Sequence, residues 1–248
     1  MTEARLTALV TGSGRNIGRA LAIDLAARGM RVVVHGNRNR DDAEETAAAV
    51  RAAGSDAHIV LGDLGERSDV GNIAEQALAA FGNVDVLVNN AAIRPESSLE
   101  ELSEEGWHRV FAVNLHSAFV LTKAFVPGMK RKGYGRVVYF TGMNAMHGYV
   151  GRAHVSASKH ALWGLAKALA KELGPSGITV NAISPGPIAT KHPDDPEMAR
   201  HIASLVGRVP LGRLGTPEEV AALCGLLCSR EGGFISGQMI ACNGAAQT

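Results

Sequence analysis

The side chains best suited to move a proton or hold an anion cluster in the second half of this 248-residue chain. Met143-Asn144-Ala145-Met146-His147-Gly148-Tyr149 offers an amide, an imidazole and a phenol, and His147 and Tyr149 have the acid-base range that a proton relay needs. A loop tyrosine is more often simply a packing residue. The run Arg152-Ala153-His154-Val155-Ser156-Ala157-Ser158-Lys159 follows. If it is helical, Arg152, Ser158 and Lys159 share the face of Val155, whereas His154 and Ser156 point about 100° away from it. Arg94 and Arg152 suit a substrate carboxylate or phosphate, and plain solvation is the alternative for each. Asn114, within Phe111-Ala112-Val113-Asn114-Leu115, is either a functional amide or one that kinks its helix.

A second chemistry is written near the N-terminus. Gly12-Ser13-Gly14-Arg15-Asn16-Ile17-Gly18 joins an apolar strand to an amphipathic helix. Glycines there let the backbone turn sharply and approach a pyrophosphate, whose charge meets the helix N-terminus. Asn16 stands where a glycine is usual, and asparagine tolerates positive φ better than most residues. The next strand ends His35-Gly36-Asn37-Arg38 without an acid that would accept a ribose diol and repel a 2′-phosphate. Arg15 and Arg38 can flank such a phosphate, so NADP(H) is the preferred cofactor, with NAD(H) admissible. If Arg38 and Arg40 form only a solvated turn, that preference fails.

Positioning these groups requires alternating strands and helices. Short apolar runs predict strands at Leu6–Val10, Arg31–His35, Ala57–Leu61, Val84–Asn89, Arg136–Thr141, Ile178–Ile183 and Gln238–Cys242. Between the first two, Ile17, Leu21 and Leu25 recur every four residues, and Gly29 can end that helix in a left-handed cap. Asp41 or Asp42 can cap the next helix, which Gly54 closes. Strands mostly without charges, separated by helices, imply a parallel sheet covered on both faces: an α/β, Rossmann-like, doubly wound single domain over residues 1–248. Residues 190–210, broken by Pro193, Asp194, Asp195 and Pro196 before Met198, Ile202 and Leu205, read as a surface excursion or a mobile lid.

Thr11-Gly12, Asn16-Ile17-Gly18, Asn89-Asn90-Ala91, Asn114, Lys159 and Pro185-Gly186 occur in an order and spacing that resembles the short-chain dehydrogenases/reductases over essentially the whole chain. The resemblance implies roles for further residues. Asp63-Leu64 would contact the adenine, Asn90-Ala91-Ala92 resembles the family's Asn-Ala-Gly run in the cofactor site, with Ala92 a small departure, and Pro185-Gly186-Pro187-Ile188 would line the nicotinamide side. Lys159 would hold the nicotinamide ribose and Asn114 would support a water relay. It also implies a catalytic tyrosine and serine at the positions of Val155 and Gly142, where this chain has neither. Losing an oxyanion donor costs roughly 10²–10³ in rate, so another group must carry the proton or the protein is redox-silent. The expected substrate pocket comprises Arg94, Gly142, Asn144, Tyr149, Arg152 and Val155. A homotetramer is expected from the resemblance alone.

Composition bounds the rest. A formal net charge of +1 provides no global field for nucleic acid or an anionic membrane. Cys224, Cys228 and Cys242 are too few for a disulfide framework, and Cys224 and Cys228, one helical turn apart, fit small core side chains better than a metal pair. No basic-then-apolar leader and no apolar stretch of membrane-spanning length is expected, so the reading is a cytoplasmic protein with a small-molecule substrate and no resident metal.

Overall fold

Short runs of β-branched and other apolar residues form the centre of the molecule. The computed structural model describes residues 5–191 and 196–247, apart from the side chains of Asn144, Met198 and Ala199. Strands β1 (Thr7–Val10), β2 (Arg31–Gly36), β3 (Ala57–Leu61), β4 (Val86–Asn89), β5 (Gly135–Phe140), β6 (Ile178–Pro185) and β7 (Met239–Cys242) form one sheet. Their order is β3-β2-β1-β4-β5-β6-β7, and every neighbouring pair is parallel. The chain reverses its direction of travel between β1 and β4, which opens a crevice at the strands' C-terminal ends. All expected strands are present, β3 with the expected bounds and the others with shifted ends. Leu6, Val84, Asp85, Thr141 and Gln238 fall outside the ladder, Gly135 joins it, and β2 and β6 run on through Gly36 and Pro185.

Helices cover both faces, which is why the strands carry apolar residues on both sides. One face packs under α1 (Asn16–Ala27), α2 (Arg40–Ala52) and α9 (Pro217–Cys228), through Leu21, Leu25, Ala43, Val50, Val220 and Leu227. The other packs under α3 (Arg67–Phe81), α5 (Ser117–Lys132) and α7 (Ala153–Leu173), through Ile73, Leu121, Phe125 and Leu162. Cys224 and Cys228 lie in the first core, Sγ to Sγ 3.9 Å, where their mutual hydrogen bond and burial push the Cys224 thiol well above its usual range. Gly29 and Gly54, at φ +86° and +85°, follow α1 and α2 in the left-handed region. The cap of α2 differs from expectation. Asn39 Oδ1 accepts from the Asp42 amide at 3.2 Å, while Asp41 and Asp42 sit inside the first turn, where they favour the helix dipole.

Two further differences concern long elements. Helix α4 (Glu104–Phe111) continues through a π turn (Ala112–His116) into α5, and the 29-residue rod Glu104–Lys132 has the length and apolarity of a membrane span, contrary to expectation. Its apolar face is nonetheless spent on the core, through Val110, Val113, Leu121, Phe125 and Met129. In the 190–210 segment, residues 192–195 lie outside the described residues. The remainder forms α8 (Pro196–Ser204) and a 3-10 turn (Leu205–Arg208).

Candidate active site

At the β1–α1 turn, Gly12 has φ +63° and Asn16 φ +51°, so asparagine takes the left-handed position. A Cβ on Gly18 would collide with the Gly12 carbonyl, and one on Gly12 would press on Ala91 at 3.0 Å, so both are required by close approach. Helix α1 starts without a side-chain cap and without an acid in its first turn. Its first N–H groups are therefore left for an anion, and the side chains of Arg15 and Arg38 make no hydrogen bond or ion pair among the described residues. Arg40, by contrast, is taken by Glu44 at 3.2 Å. This glycine cradle, with free backbone donors, fits a dinucleotide pyrophosphate.

The turn is held from behind by His35, whose role the sequence reading missed. The Gly12 amide donates to His35 Nδ1 at 3.0 Å, which leaves Nε2 to donate to the Gly62 carbonyl at 3.1 Å. The His35 amide donates to Ser13 Oγ at 2.9 Å, and the Ser13 amide to the His35 carbonyl at 2.9 Å. Burial lowers the His35 pKa to about 4, so the ring is neutral and can accept from Gly12. The only signal was a histidine in an otherwise aliphatic strand. Asn90 braces the other side, its Nδ2 donating to the Thr11 and Gly12 carbonyls at 3.0 and 3.1 Å, while Ala91 N donates to Thr11 Oγ1 at 3.1 Å.

Past the turn, a cleft of about 270 Å³ brings Asn37, Arg38 and Asp63 together with Gly62 and Glu66. Both Asp63 oxygens lie 2.7 Å from Arg109 Nη2, and that guanidinium holds the Asp63 carboxyl below its usual range. Asp63 is thus a paired anion, and Arg109 on α4 is a second residue that spacing did not reveal. Leu64 and Ile188 are core residues, so only their backbone can face a ligand. At the end of β6, Pro185 leads into Gly186, whose amide donates to Cys242 O at 3.0 Å and where a Cβ would strike Asn243. Asn16 reaches this side as well: its Nδ2 donates to the Lys191 carbonyl at 3.0 Å and its Oδ1 accepts from the Lys191 amide at 2.8 Å.

Lys159 is no exposed helix lysine. It is 4% exposed, with Nζ donating to the Phe140 carbonyl at 2.6 Å, and burial first, then Arg94, lower its pKa to about 7. One turn earlier on α7, Val155 is fully buried. Gly142 follows β5 at φ +78°, with open space where a Cβ would stand. Asn114 lies in the π turn with its amide fully engaged: Oδ1 accepts from Ile93 N at 2.9 Å, and Nδ2 donates to Ile93 O at 3.0 Å and Ser158 Oγ at 3.2 Å. It fastens the loop after β4 to α7. Tyr149 and His147 are exposed, and neither makes a hydrogen bond to Lys159; the Tyr149 hydroxyl accepts from Gln247 Nε2 at 3.5 Å. Asn144 opens the short helix α6 (Asn144–His147), and its side chain lies outside the described residues. Arg152 pairs with Glu96 at 3.3 Å. Arg94 is exposed, and the protein around it and then Arg152 lower its pKa.

The fold agrees with what comparison with known proteins finds. Residues 12–245 match the family model described as enoyl-(acyl carrier protein) reductase. The short-chain reductase protein NovJ of Streptomyces niveus is 37% identical over 245 residues, covering 96% of this chain and 92% of its own. The chain belongs to the short-chain dehydrogenase/reductase family. A second family member, the 3-oxoacyl-[acyl-carrier-protein] reductase FabG of Escherichia coli, is 35% identical over 243 residues, 96% of this chain and 95% of its own. Among solved structures of the family, one from Beutenbergia cavernae, described as an NAD(P)-dependent gluconate 5-dehydrogenase with NADP bound at low occupancy, superposes with a TM-score of 0.89 at 37% identity. It covers 98% of this chain and 97% of that one. Family membership makes this protein an oxidoreductase of the short-chain type with a Rossmann-like single domain.

Proposed function

We propose that the protein is an NADP(H)-dependent oxidoreductase acting on a small carbonyl or alcohol, imine or conjugated alkene, with Lys159 carrying the proton that a tyrosine supplies elsewhere in the family. The observation behind this reading is a buried amine with one protein acceptor, Phe140 O, and a pKa of about 7. Such an amine is half protonated at neutral pH and matched to proton transfer there. Val155 and Gly142, at the family's tyrosine and serine positions, contribute no hydroxyl. Gly12, Ser13, Asn16 and Gly18 would hold the pyrophosphate, Arg15 and Arg38 the 2′-phosphate, and Pro185 to Ile188 the nicotinamide side. When bound, the nicotinamide exchanges hydride with the substrate carbon. Lys159 Nζ gives a proton to, or takes one from, the substrate heteroatom, or for an alkene the carbon beside the one that takes hydride. His147 and Tyr149, on the exposed rim, can pass protons between the pocket and solvent. The family resemblance adds a homotetramer and a cytoplasmic setting to the same reading.

The test is NADPH oxidation against a panel of ketones, imines and enones, followed over pH. Activity should fall as Lys159 deprotonates above pH about 7, and Lys159→Met should abolish turnover. Lys159→Arg should retain cofactor binding but lose the neutral-pH inflection. Full turnover in Lys159→Met would exclude the assignment.

The absence of a hydroxyl at both Val155 and Gly142 favours a second reading, a redox-silent cofactor-binding partner subunit or sensor. Under it, wild type turns over nothing in the panel, and the double variant Val155→Tyr, Gly142→Ser gains ketone reduction. The serine fits the open space but takes φ +78° at a cost of roughly 1–2 kcal/mol.

A further inference from the structure

Two arginines and a buried lysine lie on the first turns of α7 and on the loop after β4 that is tied to it. Lys159 is buried and uses one of its three N–H donors, on Phe140 O. Arg94 makes no hydrogen bond or ion pair among the described residues. Arg152 has a single carboxylate contact, one Glu96 oxygen at 3.3 Å from Nη2, and the Glu96 side chain is 69% exposed. Of the three only Lys159 is out of water; Arg94 is exposed and Arg152 half-buried, so both guanidinium groups can be reached by a ligand.

The loop that carries Arg94 is held in place. Ile93 is bonded through both its amide and its carbonyl to Asn114, which also bonds Ser158, the residue before Lys159. Three residues beyond Arg94, the Ser97 amide donates to the Gly151 carbonyl at 2.9 Å, next to Arg152. Arg94 is thereby stationed over the start of α7, so a ligand need not pay to order the loop. Helix α7 itself begins at this point with no acid in its first turn and no side-chain cap at Arg152, leaving backbone donors on the same side.

We propose that Arg94 and Arg152 form a subsite for a carboxylate at the start of α7, so that the substrate of the oxidoreductase is a small carboxylic acid whose reacting carbon lies near its carboxylate. Planar guanidinium forks match a planar carboxylate, and Glu96, already seated on Arg152, is the chain's own carboxylate at the edge of that position. Desolvation by the surrounding protein first, and then a neighbouring cation, lowers the pKa of Arg94 and of Lys159. This assignment rests on the pocket of the proposed oxidoreductase, but carboxylate binding is measurable without turnover.

The experiment is calorimetric titration of the full chain with pyruvate, methyl pyruvate and inorganic phosphate, with and without NADP⁺, alongside a separate NADPH titration. Pyruvate should bind and the uncharged ester should not. Arg94→Gln should weaken pyruvate roughly 10- to 100-fold, the loss of one charge-assisted contact, with Arg94→Lys intermediate and NADPH affinity unchanged. Glu96→Gln should tighten pyruvate by freeing Arg152. Circular dichroism on each variant confirms folding. Equal binding of ester and acid, no pyruvate binding at millimolar concentration, or wild-type affinity in both Arg94→Gln and Arg152→Gln would overturn the subsite, and phosphate binding in place of pyruvate would overturn the carboxylate assignment. If pyruvate binds through Arg94 while NADPH does not bind, the subsite stands and the oxidoreductase reading falls.

Discussion

His35 shows how one side chain sets the cofactor turn. Its ring must be neutral with the proton on Nε2, because Nδ1 accepts from Gly12 and Nε2 faces the Gly62 carbonyl. His35→Leu should leave the Gly12 amide without an acceptor, costing about 1–3 kcal/mol in stability and weakening NADPH binding. His35→Asn keeps an acceptor and should lose less, and denaturation with NADPH titration of both variants decides the point. The pH sign follows from the depressed pKa. Between about 4 and 6.5 the unfolded state binds more protons than the folded state, so His35's contribution is complete above pH 6.5 and lost as pH falls through about 4. A wild-type stability profile whose acid limb is unchanged in His35→Asn would refute it. Nothing in the sequence distinguished this histidine from His58, because the distinction lies in a contact between β2 and a turn 23 positions earlier.

At the scale of elements, the crevice is bounded by a glycine-rich turn on one side and the segment after β6 on the other, and Asn16 joins them by two bonds to Lys191. Asn16→Gly preserves the left-handed backbone but removes both bonds. Hydrogen exchange in residues 196–210 should quicken in that variant, with little change in β1 or α1. Asn16→Ala should show the same exchange change plus a stability loss of roughly 1–2 kcal/mol from its positive φ. Unchanged exchange in both would mean the segment is held by other contacts. The sequence showed that Asn16 tolerates the conformation; it could not show a partner 175 residues away.

For the whole molecule, a net charge of +1 means cofactor selectivity has to come from local charges. The Arg15 and Arg38 side chains make no hydrogen bond or ion pair among the described residues, while Asp63 is paired with Arg109. NADPH at a hundredfold excess over its dissociation constant should stabilise the fold by about 2.7 kcal/mol, read as a rise in Tm, and NADH less. Arg38→Ser should narrow the preference for NADPH over NADH about tenfold or more, in keeping with one charge-assisted contact. Equal affinity for both cofactors in the wild type would remove the 2′-phosphate assignment.

The seven strands, their parallel arrangement and the glycine-rich turn were legible because they rest on local facts: apolar runs, breakers between them, and positions that admit only small residues or asparagine. The order of family landmarks, from Gly12 to Gly186, was legible for the same reason. Tertiary structure alone decided which charged groups are free and which are spent. Lys159 is buried against Phe140, Asp63 is claimed by Arg109, Asn114 is consumed in fastening a loop, and Tyr149 and His147 stay on the rim. Partners distant in sequence and the exclusion of water fix those outcomes, and neither is encoded in the spacing of residues along the chain.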